Sequence, residues 1–375
     1  MKVLMLGRIG ILENGGGDKV QIENTAEELR KLGAEVDVRD NLNVDISKYD
    51  IVHVFQLDWT AEPYFYAKKA KSYNKPLVLS PIHHDVLEVK KFDDEFVFDF
   101  RRVSKILFRD QFHRDVFKNA YRSFFDRRKT KPLLYSIFVG LKNMHRKILK
   151  LSDVVLVQTE LEAHDLKKTY DVDFKWEKVQ NGVGEQFLHM GDYENKLGIK
   201  DYIICVGRIE PRKNQLSIIR AVKMLREKEK LDVNLLFVGT KNVLKHFEYN
   251  FWFTREVQKN KWIKHISGWI PPETVASYYH FAKVGVSASW FETTGLTSLE
   301  VLFCGSNAVA AGDRAKEYLG NKASYCEPDN VESIMKAIRK EYYAKRPQID
   351  EKMKREYTWK SAAKKTLEVY KNLLS

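Results

Sequence analysis

One pattern recurs along the chain and restricts its fold more than any other. A short apolar run ends at or near a glycine-bearing loop, and a segment of helical period follows. Val3-Leu-Met-Leu-Gly7 is the first such run. After Gly15-Gly-Gly17, the apolar positions Ile22, Ala26 and Leu29 fall at i, i+4 and i+7 of a helix predicted over 18–32. Ala34-Glu-Val-Asp-Val38, Tyr49-Asp-Ile-Val-His-Val-Phe55, Lys75-Pro-Leu-Val-Leu-Ser80 and Asp153-Val-Val-Leu-Val-Gln-Thr159 read as further strands. Residues 187–201 read as a linker, and then the pattern begins again. Tyr202-Ile-Ile-Cys-Val-Gly207, Val233-Asn-Leu-Leu-Phe-Val-Gly239 and His265-Ile-Ser-Gly268 are strands, with helices read from Gln215 to about Lys228 after the first and from Pro271 to Phe281 after the third. Buried strands alternating with helices build parallel sheets. A pattern that starts twice predicts an α/β chain of two Rossmann-like domains facing each other across a cleft, one over 1–186 and one over 187–357.

At 375 residues the chain is long enough for two domains, and a hydrophobic content of 44% excludes a disordered class. Cys205, Cys304 and Cys326 lie in or beside apolar stretches without metal-ligand spacing, so they read as reduced core residues. Met1-Lys-Val-Leu-Met-Leu is strand-like rather than a signal peptide, and the uncharged run 132–141 is too short to span a bilayer. The expectation is a cytoplasmic protein.

The formal charge of +13 is concentrated. Residues 101–150 hold fifteen Lys/Arg and three acids, a net +12, which localises any anionic partner to this segment. Two amphipathic stripes run through it. Val116, Phe117, Ala120, Tyr121 and Phe124 make the first, on a helix predicted over 101–125 and broken at Lys129-Thr-Lys-Pro132. Leu134, Ile137, Phe138, Leu141, Met144 and Ile148 make the second. Basic amphipathic helices of this kind suit an anionic membrane surface, and they equally suit a pair of core-packing helices with solvated basic faces. Nucleic acid is not expected, because no zinc-finger, helix-turn-helix or RNA-binding signature is present.

The densest chemistry lies between Val284 and Ala311. A strand over 284–289 is followed by a loop, a helix from Gly295 stopped at Gly305, and a strand over 307–311. Glu292 and Glu300 bracket the loop and the helix start. Between them the N–H groups of Thr294, Gly295 and Leu296 are expected to be free at a helix tip that favours phosphate. A diphosphate bound there would leave one glutamate near each end of a nucleotide-sugar, where each carboxylate could accept hydrogen bonds from neighbouring hydroxyls. Arg208 and Lys213 follow the first strand of the second array and would add two cations on the same sheet edge. Gly15, Gly16 and Gly17 form either a ligand loop or a plain turn; their spacing is not that of a dinucleotide fingerprint. His84, beside Asp85 just past a strand end, is placed either for a cleft or for ordinary hydrogen bonding.

These motifs resemble the retaining glycosyltransferases of the GT-B fold, group 1 (glycosyltransferase family 4). Val206-Gly-Arg208 with Lys213 is similar to that family's Gly-Arg…Lys diphosphate element. Glu292-Thr-Thr-Gly-Leu-Thr-Ser-Leu-Glu300 is similar to its two-glutamate motif. The resemblance implies an N-terminal acceptor domain over 1–186 and a nucleotide-sugar donor domain over 187–357. The last segment, 358–375, would be the helix that crosses back to complete the first domain. It implies that Glu292 contacts donor-sugar hydroxyls and Glu300 the ribose. Thr294, Gly295 and Leu296 would hold the diphosphate with Arg208 and Lys213, and Gly268 with Trp269 would turn over the base. The Gly15–Gly17 loop would close on the donor, and His84 would face the transferred sugar.

The implied reaction moves a sugar from a nucleotide diphosphate, UDP ahead of GDP, to a hydroxyl of a saccharide or lipid-linked saccharide. It would proceed with retention, without a metal or other cofactor, in glycan or polysaccharide synthesis at the inner face of a membrane. Glu292-Thr-Thr-Gly295 replaces the family's usual Glu-Gly-Phe-Gly, which alters the wall beside the sugar. A non-hydrolysing nucleotide-sugar epimerase and a non-catalytic sugar-binding protein are the alternatives.

Overall fold

A computed structural model describes residues 1–95, 101–188, 193–242 and 246–375. The chain divides into two compact units: 1–87 with 103–182 and 357–375, and 88–102 with 183–356.

The first unit carries six parallel strands: β1 (Lys2–Leu6), β2 (Glu35–Arg39), β3 (Ile51–Phe55), β4 (Leu77–Ser80), β5 (Val154–Val157) and β6 (Trp176–Lys178). Their order is β2-β1-β3-β4-β5-β6. Strands such as β3 and β4 are buried along their whole length, which is why they read as unbroken apolar runs rather than alternating ones. The order reverses between β1 and β3, and the crevice past the carboxyl ends of those strands is where open sheets of this kind take ligands. The final helix, Trp359–Leu374, completes one face: Ala363 and Tyr370 share a core with Ile22, Ala26 and Leu29. The Tyr370 hydroxyl also meets His53 Nδ1 at 2.6 Å, while His53 Nε2 meets Ser80 Oγ at 2.9 Å. Burial pushes the His53 pKa down to about 3. His53 is thus a neutral, hydrogen-bonded core residue.

The second unit repeats the design with β7 (Tyr202–Val206), β8 (Leu235–Val238), β9 (Ile263–Ile266), β10 (Ala282–Val286), β11 (Asn307–Ala311) and β12 (Ala323–Cys326), ordered β12-β11-β10-β7-β8-β9. Here the reversal falls between β7 and β10. The helix Leu296–Phe303 lies tightly on β10 because Gly285 has no side chain: a Cβ there would sit 2.3 Å from Val301 Cγ2. That contact fixes the height of the helix tip above the sheet. Cys205, Cys304 and Cys326 are all free and buried.

Residues 88–102, which the sequence pattern leaves in the N-terminal half, group with the second unit. Phe92, 1% exposed, packs against Trp290 and Phe291 with ring centroids 5.9 and 5.5 Å apart, and Lys91 pairs with Asp329 at 2.6 Å.

The basic segment also departs from its sequence pattern. The single helix predicted over 101–125 is two, Arg101–Leu107 and Gln111–Phe125. Asp110 starts the second by accepting the His113 N–H at 3.2 Å, a cap that periodicity alone does not reveal. The break before the next helix comes at Asp126, which accepts the Arg128 N–H. It does not come at Pro132, which lies in the first turn of Thr130–Tyr135, where its missing N–H costs nothing. Among the described residues no helix is long and apolar enough to cross a membrane.

Candidate active site

Two loops meet at the reversal of the second sheet. The first follows β7. It runs through Gly207 and Arg208 into a single 3-10 turn, Pro211–Lys213, and stops at Asn214 in the left-handed conformation, φ 60°. Asparagine tolerates that conformation better than most residues. The Asn214 amide then donates to the carbonyls of Ala288, at 3.1 Å, and Pro328, at 2.7 Å. The second loop follows β10, and its Trp290 N–H donates to the Arg212 carbonyl at 2.9 Å. Trp290 and Phe291 are buried beneath it. The loops are therefore stapled backbone to backbone before any charge is considered.

On this frame sits a cluster of three cations and two carboxylates. Lys213 Nζ reaches Glu292 Oε1 at 2.5 Å, and Arg212 reaches Glu292 Oε2 at 3.1 Å and Glu210 Oε1 at 3.1 Å. Arg212 also donates to the Phe291 carbonyl at 3.2 Å and lies over the Phe291 ring. Arg208 stands 3.7 Å from Glu210 with about half of its side chain exposed. Burial raises the cost of ionising Glu292, but Lys213 and Arg212 outweigh it and hold the carboxyl well below its usual range. Burial acts the same way on Glu210, and Arg212, Arg208 and Lys213 pull its pKa down to about 2. Both carboxylates are ionised at neutral pH, and the cluster keeps one net positive charge.

Glu300 is different. It lies on the Leu296–Phe303 helix and accepts the Tyr279 hydroxyl at 3.2 Å. Burial dominates and pushes its pKa up to about 7. The two glutamates of the motif thus differ in protonation near neutral pH, because only Glu292 has cations in contact.

The helix tip does not present the open amides that its sequence suggests. The Gly295 N–H donates to the Tyr318 hydroxyl at 2.5 Å, and the Leu296 N–H turns back to the Thr294 carbonyl at 2.9 Å. The first helical residue is Leu296, and Gly295 supplies no side-chain cap. A neighbouring tyrosine therefore meets an amide that would otherwise lack a partner. Gly268 takes a left-handed φ of 109° past β9, and Trp269 is 79% exposed.

The first unit holds the remaining candidates. Gly15 is a glycine for a packing reason: a Cβ there would lie 2.6 Å from the Ile11 carbonyl oxygen. The Gly16 N–H donates to Asp18 Oδ1 at 2.7 Å, and Gly17 begins the helix Gly17–Lys31. Asp18 also pairs with Arg8 at 2.9 Å.

His84 does belong to a constellation, but its carboxylate partner is Asp58. The buried Asp58 receives His83 Nδ1 at 2.5 Å, the His84 N–H at 2.7 Å and His84 Nδ1 at 3.0 Å. Burial opposes ionisation of Asp58, and the two histidines overcome it, holding its pKa well down. Trp59 stacks on the His84 ring at 5.0 Å. Beneath, Glu162 accepts the N–H groups of His83 and Gln158, both at 2.7 Å. Gln56 and Trp59 past β3, and Ile82 past β4, have φ of 70°, 62° and 48°. Left-handed backbone costs a β-branched residue such as Ile82 the most, and strain of this kind clusters at functional sites.

Arg212, Glu210, Tyr279, Tyr318 and Asp58 belong to these networks although no sequence motif marks them. Arg212 and Glu210 flank predicted residues, and their charge beside Arg208 and Lys213 was the available signal. Asp58 and Tyr318 lie 26 and 23 residues from the groups they contact, and nothing in the sequence joins them.

Residues 200–342 match the family described as glycosyl transferases group 1. The match covers most of the second unit, which therefore carries a group 1 glycosyltransferase domain. It is 28% identical over 176 residues to a D-inositol 3-phosphate glycosyltransferase of Kribbella flavida, covering 44% of this chain and 41% of that protein. It is 29% identical over 221 residues to an alpha-monoglucosyldiacylglycerol synthase of Streptococcus pneumoniae, covering 53% and 47%. These matches span less than half the length of either relative.

Among solved structures, the sucrose-phosphate synthase of Thermosynechococcus elongatus superposes over 100% of this chain and 99% of its own, with a TM-score of 0.71 and 14% identity. An Anabaena protein, HepE, solved in complex with UDP-glucose, superposes over 100% and 98%, with a TM-score of 0.62 and 13% identity. At such identities the likeness establishes the fold, the α/β two-domain GT-B architecture, and nothing finer. Within the matched residues, Arg208, Lys213, Glu292 and Glu300 all lie on elements that meet at one sheet reversal.

Proposed function

We propose that the chain is a glycosyltransferase that moves a sugar from a nucleotide diphosphate to an acceptor hydroxyl, with retention at the anomeric carbon. One observation carries this reading. At the reversal of the second sheet, Arg208 and Lys213 share a loop stapled to the one that bears Glu292. As the bond to the leaving diphosphate breaks, negative charge grows on its oxygens. Fixed cations stabilise that charge at no reorganisation cost. Arg208 is exposed enough to reach a ligand, and Lys213 is within reach once its bond to Glu292 is shared with a phosphate. Glu292, held ionised, can accept hydrogen bonds from neighbouring sugar hydroxyls, and Glu300 can accept one from the ribose. Gly268 and Trp269 would lie along the base, and Thr294, Gly295 and Leu296 beside the diphosphate, with Tyr318 yielding or sharing the Gly295 amide.

With protein cations in this role, the transfer is proposed to need no metal. UDP is the preferred nucleotide: the Anabaena neighbour is solved with UDP-glucose. The same proposal gives His84 the role of contacting the transferred sugar and the Gly15–Gly17 loop that of closing on the donor. The acceptor is a saccharide or lipid-linked saccharide in glycan or polysaccharide synthesis. The net +12 of residues 101–150 draws the chain electrostatically to the inner face of an anionic membrane, where lipid-linked acceptors reside.

The test is nucleotide release and product analysis with a panel of nucleotide-sugars, with and without EDTA. Lys213→Ala and Glu292→Ala are each expected to lower turnover at least about a hundredfold, as loss of one charge-stabilising contact does elsewhere. EDTA is expected to change nothing. Full activity in both variants, or isomerised donor formed without acceptor, refutes the reading.

A further inference from the structure

The basic segment of the first unit has an exposed apolar stretch in its middle, over 121–138. Each of its two stripes is part buried and part exposed. Leu141, Met144 and Ile148 are buried in the core, so the second half of the helical pair is ordinary packing. The stretch 121–138 is the opposite. Seven large apolar side chains stand in solvent there: Tyr121, Phe124, Phe125, Leu134, Tyr135, Ile137 and Phe138, with Phe124 and Phe138 each 84% exposed. Phe125 packs edge-on against Tyr121 and Phe124, at 5.0 and 5.4 Å, so these three rings form one lobe. Ile137 and Phe138 stand on the π-helical turn Ser136–Gly140, which closes at Gly140 in the left-handed region, φ 82°. The stretch touches the rest of the unit at Phe65: Tyr135 meets that ring at 5.0 Å, and Lys131 lies over it. Within 121–138 there are five Lys/Arg and a single acid, Asp126.

Seven exposed large apolar side chains within eighteen residues of chain mark a contact site. The basic residues interleaved with them decide the partner. A protein hydrophobic face needs no net charge of +4, whereas a bilayer bearing anionic headgroups rewards both features at once.

We infer that the stretch 121–138 is a membrane-insertion element, with Phe124, Phe125, Ile137 and Phe138 entering the acyl boundary of an anionic bilayer and Arg122, Arg127, Arg128 and Lys131 at headgroup level. This rests on the electrostatic attachment proposed above and deepens it. Charge alone would release the chain at high salt, whereas inserted side chains keep it bound. The element also gives the donor-binding chain a fixed station at the surface that carries lipid-linked acceptor.

The experiment is vesicle co-sedimentation of the full chain, with no sugar donor present. Vesicles are phosphatidylcholine alone or phosphatidylcholine with phosphatidylglycerol, each at low salt and at high salt. The comparison is with a variant carrying Phe124→Ser, Phe125→Ser, Ile137→Ser and Phe138→Ser; these side chains are exposed, and an unchanged thermal transition confirms the fold. Wild type is expected on the phosphatidylglycerol vesicles at low salt and, in smaller amount, at high salt. The variant is expected to bind at least about a hundredfold more weakly, since each buried apolar side chain contributes severalfold to partition. A second reporter, Phe138→Trp, is expected to blue-shift and to be quenched by brominated lipid. Equal binding of variant and wild type, or an unshifted Trp on bound protein, overturns the insertion while leaving electrostatic attachment standing. Failure of wild type to bind at low salt overturns both. Concentration-dependent self-association that the variant abolishes, with no vesicle binding, assigns the patch to a second copy and overturns the proposal. None of these outcomes bears on sugar transfer.

Discussion

Arg212 is the residue whose removal tests the second unit's charge cluster most directly. Its guanidinium contacts both Glu210 and Glu292 at 3.1 Å, and its flanks are less than a quarter exposed. Arg212→Met keeps most of the volume and the stem while removing the charge. Two ionised carboxylates then lose a partner, although Lys213 stays on Glu292 and Arg208 stays near Glu210. Charge-assisted hydrogen bonds contribute about 1.5–3 kcal/mol each, and a fully orphaned buried charge costs about 3–5 kcal/mol. Because each carboxylate keeps one cation, the expected loss is about 2–4 kcal/mol. For a unit of this size that lowers the midpoint of its thermal transition by about 6–12 °C.

The pH dependence carries an independent signature. Glu210 has a pKa near 2 in the folded chain, below its ordinary value of 4.5, and Glu292 is depressed as well. A carboxyl with a depressed folded pKa contributes stability that is fully present above its ordinary value. That stability drains away as pH falls towards the folded value. In Arg212→Met the folded pKa values rise towards 4.5, so less is gained above pH 5 and the variant converges on wild type in acid. Calorimetry from pH 3 to 8 reads both effects. A midpoint within about 2 °C of wild type at pH 7, with an unchanged acid limb, would show that the cluster contributes nothing net. The loops would then be held by the Trp290 N–H and the Asn214 amide alone. A double-mutant cycle with Glu292→Gln measures the pair itself and is expected to give a coupling of about 1–3 kcal/mol.

The remaining predictions concern the other carboxylates. Glu300 has a folded pKa near 7, above its ordinary 4.5, so between those values the folded chain holds a proton that the unfolded chain has released. Stability falls as pH climbs through that window, by about 3 kcal/mol in total. Glu300→Gln is expected to flatten this slope and to be more stable than wild type above pH 7; an identical slope in calorimetry refutes the protonation argument. Asp58→Asn keeps shape but removes the charge facing His83 and His84, and is expected to cost about 2 kcal/mol and to lower transfer. Retention of wild-type stability and turnover would make the Asp58 network incidental.

Much of the architecture was legible because its strands are buried on both faces. The runs Val3–Leu6, Ile51–Phe55, Tyr202–Val206 and Leu235–Val238 carry no polar alternation except at His53, and His53 is hydrogen-bonded at both ring nitrogens inside the core. The motif glutamates and the cations after β7 were legible because a dense chemical spacing survives in one dimension. What the sequence withheld depends on chain returns. The orientation of Asp58 towards the histidines needs β3 and β4 to be neighbours, and their register of Phe55 against Ser80 brings residues 58 and 84 together. The capping of Gly295 by Tyr318 needs the helix Asp313–Leu319 to return past β11. Neither contact has a local signature in composition or period.

The same reasoning explains why 101–150 misled as a unit. Two amphipathic stripes read alike in sequence, and yet part of each faces the core and part faces solvent. The difference lies in what stands opposite. Leu141, Met144 and Ile148 belong to the core that includes Tyr66, Ala67 and Ala70 of the Glu62–Ser72 helix. Phe124, Phe125 and Phe138 extend beyond that core and stay exposed. A hydrophobic stripe that outruns its own core needs a second apolar phase outside the molecule, and the cations beside it select a phase edged with negative charge. The periodicity therefore specified an amphipathic face correctly, while the reach of the neighbouring helix decided how much of that face the protein itself could cover.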